Sequence, residues 1–146
     1  MERKEFIRSL GAGAAFVLTF PCLQGCSKGD GNDDKIGMPT GIDFTIDLNS
    51  EEGRKLSGNG SFILKNLVVV VKTLEGDFVA ATQICSHKSY EEVRFLPNDG
   101  GVFSCDVHGS RFALDGSPLN QVDGNAAKPL KIYDTELNGD ILRVYE

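Results

Sequence analysis

The sequence predicts an all-β domain, a sandwich or barrel of short strands. Three observations carry this expectation. Apolar and polar residues alternate over several short stretches, turn dipeptides recur between them, and no long segment has a helical period. The chain has 146 residues and a formal charge of −6. Without its first 25 residues, which hold three basic and two acidic side chains, 121 residues with a formal charge of −7 remain. That is enough for one domain with a modest core. No basic cluster points to nucleic acid, and an acidic protein suits a partner with a basic docking face.

The start of the chain reads as targeting, not as fold. Arg3, Lys4 and Arg8 are basic, residues 10–23 are apolar and small, and Leu23-Gln24-Gly25-Cys26 looks like a lipobox. Residues 1–25 are therefore expected to be a lipoprotein signal peptide, with Cys26 as the lipidated N-terminus. The apolar run is shorter than the ~20 residues that a spanning helix needs and is interrupted by Pro21, which argues against a retained membrane span. Cys22 falls inside the removed segment. Arg3-Lys4-Glu5-Phe6-Ile7-Arg8 resembles a twin-arginine export signal with Lys in the second basic position. Residues 26–40 are polar, Gly-rich and without apolar periodicity, so they are expected to be a flexible linker to the domain at 41–146.

Within that domain Ile42, Phe44, Ile46 and Leu48 alternate with polar residues, as on a half-buried strand. Residues 49–54 turn the chain. Residues 61–64 and the apolar run 67–71 read as two further strands, the second buried on both faces. Glu75-Gly76-Asp77 turns into a strand at 78–82, which makes a hairpin leading to Cys85. A strand is expected at 91–96, a turn at Pro97-Asn98-Asp99-Gly100-Gly101, and a strand at 102–104. Asp115-Gly116 is another turn, followed by a loop rich in Gly, Asn and Ala as far as Pro129. Residues 130–137 and 141–145 alternate well and are joined at Asn138-Gly139, a strong hairpin signal.

Two boxes carry the chemistry: Cys85-Ser86-His87 and, after a 17-residue spacer, Cys105-Asp106-Val107-His108-Gly109-Ser110. They contain both histidines of the chain and both cysteines beyond residue 26. Two thiolates and two imidazoles can complete the ligand set of one metal centre, two ligands from each loop. The same four residues also permit a zinc site, or a Cys85–Cys105 disulfide closing a twenty-residue loop with the histidines at the surface. A Cys2His2 finger pairs Cys with Cys and His with His, which this order does not do.

The pattern C-x-H, spacer, C-x2-H-G-S resembles the Rieske family, and the chain is identified as a member of its disulfide-free type. His108-Gly109-Ser110-Arg111-Phe112 continues the resemblance, and Gly124-Asn125-Ala126-Ala127-Lys128-Pro129-Leu130 looks like the family's Pro-containing covering loop. The resemblance implies a β-sandwich with a small cluster-binding subdomain and one [2Fe-2S] cluster per chain. Cys85 and Cys105 would hold one iron, and His87 and His108 the other. Exchanging two thiolates for neutral imidazoles raises the potential from about −400 mV for plant-type ferredoxins to roughly −150 to +300 mV.

The positions that carry an extra, cross-linked cysteine pair in high-potential relatives are Tyr90 and Val107, and a tyrosine position is Phe112. Ser110 is kept as a donor to the cluster, and Gly109 is expected to allow close backbone approach. An intermediate potential follows. Packing of Tyr90 on Val107 is a candidate replacement for the cross-link, and Lys88 and Arg111 flank the site. Because both histidines are used, no second iron set for oxygenase catalysis remains.

The function implied is electron transfer in an exported, membrane-anchored lipoprotein facing the periplasm or cell surface. It would act as a carrier or as the small subunit of a quinol- or respiratory-type oxidoreductase. Its partners would be a cytochrome or an oxidoreductase large subunit, with quinol as a further candidate. A ferredoxin-like donor to an oxygenase and a redox-inert lipoprotein are the competing readings.

Overall fold

The computed structural model describes residues 37–86, 89–126 and 128–146. The expected signal peptide, the lipobox with Cys26, Cys22, most of the linker, His87 and Lys88 lie outside the described residues.

The strands are β1 (Asp43–Asp47), β2 (Phe62–Lys65), β3 (Val68–Lys72), β4 (Phe78–Thr82), β5 (Val93–Leu96), β6 (Val102–Cys105), β7 (Arg111–Phe112), β8 (Gln121–Val122), β9 (Asn125–Ala126), β10 (Ile132–Asn138) and β11 (Ile141–Tyr145). Every pairing among them is antiparallel. Two short 3-10 turns, Gly53–Leu56 and Pro97–Asp99, are the helical elements among the described residues, so the all-β expectation holds. No described helix is long and apolar enough to cross a membrane.

Six strands form one sheet in the order β1-β11-β10-β4-β3-β2. β10 turns the corner of this sheet: Asp134–Asn138 pair with β11, while Ile132 and Tyr133 pair with β4. A strand that changes partner along its length curls the sheet, and the curl encloses a core of Ile46, Leu56, Ile63, Val68, Val70, Ala80, Tyr133, Leu142 and Val144.

The β5-β6-β7 sheet contributes Val93, Phe95, Phe103 and Phe112 to a second core with Val69, Val71, Ala81 and Leu130. Val68 to Val71 are all fully buried because β3 is the wall between the two cores, one pair of valines facing each. Burying each stabilises the fold by about 1.5–2 kcal/mol before entropic costs. Cys85 and Cys105 belong to the second core.

Some boundaries differ from the expectation. Leu67 is not in a strand: Lys65 pairs with Val68, and Asn66-Leu67 form a two-residue turn with φ of +51° and +62°. Such a turn normally selects Asn-Gly, so a leucine there hid it. Gly53–Leu56 extends the 49–54 turn into a helical turn that buries Leu56. The expected loop before Pro129 contains the β8–β9 hairpin, turned by Asp123 (φ +55°) and Gly124 (φ +76°). In the last hairpin Asn138 still pairs with Ile141, so the turn is Gly139-Asp140, one residue later than expected.

Candidate metal centre

The two boxes fold into loops with the same backbone pattern. In the first, the Cys85 N–H donates to the Tyr90 carbonyl and the Ser89 N–H donates to the Cys85 carbonyl, each at 2.8 Å. In the second, the Cys105 N–H donates to the Ser110 carbonyl at 2.8 Å and the Gly109 N–H to the Cys105 carbonyl at 2.9 Å. Each loop thus closes on the fifth residue after its cysteine. The fourth residue is left-handed in both, Ser89 at φ +57° and Gly109 at φ +72°. Beside Gly109 the space among protein atoms is open, so the backbone conformation calls for glycine there.

β4 ends three residues before Cys85 and β6 ends at Cys105, so two rigid strands deliver the cysteines. Both side chains are buried. Cys105 carries a depressed pKa, about 5 against the usual 9.0. The main cause is a hydrogen bond with the Cys85 side chain; burial opposes it, and the backbone of Val107 and His108 and the His108 side chain assist. No disulfide joins Cys85 and Cys105, so the disulfide reading does not hold. Thiols within hydrogen-bonding reach, with amides favouring the charged sulfur, form a donor set suited to iron.

His108 is half-buried, with its Nδ1 edge turned inward and buried. The Ser110 hydroxyl is also fully buried and has no hydrogen-bond partner among the described residues. A buried hydroxyl without an acceptor costs about 1–3 kcal/mol, and an acceptor such as a bridging sulfide would remove that cost. The residues present therefore fit an iron–sulfur group. Among the described residues, no three His, Cys, Asp or Glu side chains gather as for a single metal ion, and His87 lies outside them.

The Tyr90 ring lies against His108, with centroids 5.4 Å apart and planes inclined at 40°. Tyr90, Val107 and Leu119 are exposed. Arg111 is paired with Asp99 at 2.5 Å. Phe112 is fully buried among the core residues that include both cysteines.

Further contacts join the loops. The Ser86 hydroxyl donates to the Lys128 carbonyl at 2.6 Å, tying the first box to the segment after β9. The Leu130 N–H donates to the Gly116 carbonyl at 2.8 Å, and a Cβ on Gly116 would lie 2.3 Å from the Leu130 carbonyl oxygen. Only glycine allows that approach. Gln83, also buried, donates to the Glu91 carboxylate at 3.2 Å below the first loop. The Asn120 side chain bonds both Gly109 and Arg111. None of these contacts had a sequence motif to reveal it, since each joins loops that only the fold brings together.

A family model described as the Rieske [2Fe-2S] domain matches residues 45–134. Among solved structures, the cyanobacterial plasma membrane Rieske protein PetC3 from Synechocystis PCC 6803 is similar at 26% identity, covering 59% of this chain and 85% of that one, with a TM-score of 0.47. The quaternary ammonium Rieske monooxygenase CntA, with inhibitor bound, is similar at 17% identity over 64% of this chain, with a TM-score of 0.50. That likeness is one of fold, and it spans 29% of the monooxygenase chain. NdmB of Pseudomonas putida CBB5 is similar at 25% identity, over 60% of this chain and 28% of that one, with a TM-score of 0.41. No curated protein matches.

Proposed function

We infer that this chain is an exported, lipid-anchored electron carrier or small oxidoreductase subunit; it belongs to the Rieske [2Fe-2S] domain family, whose domain binds a [2Fe-2S] cluster and transfers electrons through it. Cys85 and Cys105 would hold one iron, and His87 and His108 the other. The observation that carries this assignment is the meeting of two backbone-equivalent loops, which brings the two buried thiols into hydrogen-bonding contact. When bound, the cluster supplies a one-electron couple with histidine nitrogens beside it that can take up a proton.

The protein's own groups set the conditions for that couple. The Cys105 thiolate is stabilised by its neighbours, and hydrogen bonds to cluster sulfurs raise the potential. Ser110 would donate from within the core, while Phe112 has no hydroxyl to add, so the potential is intermediate. The fully buried Val93, Phe95, Phe103 and Phe112 keep water from the cysteine side. Tyr90, lying against His108, and the neighbouring Val107 are exposed apolar residues at the imidazole, with Asp106 exposed beside them. That combination suits a redox protein with a basic, partly apolar docking face, such as a cytochrome or an oxidoreductase large subunit.

Export rests on the sequence of residues 1–26. A signal that resembles the twin-arginine type fits a cofactor protein, because that route carries folded chains. Anchoring through Cys26 would hold the domain at a membrane surface, facing the periplasm or cell surface. The test has two parts. Iron and acid-labile sulfide analysis with a potential titration should give two of each per chain and an intermediate midpoint; a colourless folded protein would refute the cofactor assignment. Cys26→Ser should move the protein from the membrane to the soluble fraction, and unchanged membrane retention would refute the anchor.

A further inference from the structure

β7 is only two residues long, yet the backbone on either side of Ser110 is held from two directions. From one side, Cys105 takes the Gly109 N–H and donates to the Ser110 carbonyl. From the other, the Asn120 Nδ2 donates to the Gly109 carbonyl and its Oδ1 accepts the Arg111 N–H, both at 2.8 Å, while the Leu119 N–H donates to the Arg111 carbonyl at 2.8 Å. A carboxamide carries a donor and an acceptor side by side, as a peptide group does. Asn120 therefore stands in for a strand partner where the sheet has run out.

What it holds is the residue between its two contacts. Ser110 is fully buried, and its hydroxyl has no hydrogen-bond partner among the described residues. With the flanking peptide units fixed, the backbone sets the direction of the Cα–Cβ bond from which that hydroxyl hangs. We propose that Asn120 is a positioning residue that tunes the reduction potential by aiming the Ser110 hydroxyl at the cluster. This rests on the site assignment made above. The two hydrogen bonds of the Asn120 side chain go to the residues on either side of Ser110, so its effect on the couple passes through Ser110.

The experiment is a redox titration, followed by absorbance, of the native protein, Asn120→Ala, Ser110→Ala and the double variant, each first assayed for iron and sulfide. Asn120→Ala should lower the midpoint by less than Ser110→Ala does, and it should add nothing once Ser110 is alanine. An unchanged midpoint in Asn120→Ala, or a shift that persists at full size without the Ser110 hydroxyl, would overturn the proposal. A purely structural role would lower the melting temperature alike in both backgrounds and leave the midpoint where it was. Absence of iron and sulfide from the native protein would instead overturn the site assignment beneath it. If Asn120→Ala does not fold, amide exchange in the native protein decides: Arg111 should exchange as slowly as Phe112, and fast exchange at Arg111 would sink the idea.

Discussion

Ser110→Ala has opposite expected effects on the protein with and without its cluster, and both can be worked from one atom. In the cluster-free protein the hydroxyl is buried without a partner, which costs about 1–3 kcal/mol. Alanine removes that cost and leaves a gap the size of one oxygen, costing about 0.3 kcal/mol. The net gain is about 0.7–2.7 kcal/mol, or about 3–10 °C in melting temperature for a domain of this size. In the loaded protein the same change removes a donor whose bond strengthens as the cluster gains negative charge. A loss of about 1.5 kcal/mol of differential stabilisation lowers a one-electron midpoint by about 60 mV. Thermal melts of chelator-stripped protein and a redox titration of loaded protein measure the two effects separately. A lower melting temperature of the stripped variant together with an unmoved midpoint would refute the reasoning.

Phe112→Tyr should raise the midpoint by a similar amount, about 60 mV, by adding a donor within the core that holds both cysteines; an unchanged or lower midpoint in the same titration would contradict it. Ser89→Gly should stabilise the folded protein by about 0.5–1 kcal/mol in urea melts, because Ser89 occupies at φ +57° the loop position that Gly109 fills in the other box. For the stripped protein, absorbance of the thiolate should persist as pH falls until about 5, since Cys105 is held there. The folded pKa lies below the ordinary 9.0, so this group stabilises the fold above pH 9, and the contribution is lost as pH falls from 9 through 5. Loss of the absorbance already near pH 8 would remove the thiolate from the account.

Where one strand buries one face, the fold was legible. The alternation through Ile42, Phe44 and Ile46 became β1, and the unbroken valines of β3 announced a strand covered on both sides. Legibility ended where conformation depends on something other than period. Leu67 looks like the first residue of an apolar strand, yet its left-handed turn is imposed by the register of Lys65 against Val68. β8 and β9 are two residues each, too short for alternation to register, although Asp123-Gly124 is a hairpin dipeptide.

At the site, cysteine and histidine are rare enough that their spacing spoke for itself. Tyr90 against His108, Ser86 on Lys128 and the Asn120 bridge could not be read, because an ordinary polar or aromatic residue acquires its role only when another loop is placed beside it. The pairing of Arg111 with Asp99 likewise joins the 3-10 turn before β6 to the residue that opens β7.

The central claim is that one imidazole from each box shares the cluster with the two buried thiols. Nitrogen hyperfine spectroscopy on the dithionite-reduced protein measures this most directly. Two inequivalent histidine nitrogens coupled to the cluster spin, one lost in His87→Cys and the other in His108→Cys, is the predicted result. A reduced cluster with no nitrogen coupling, or with coupling from one histidine alone, would contradict it.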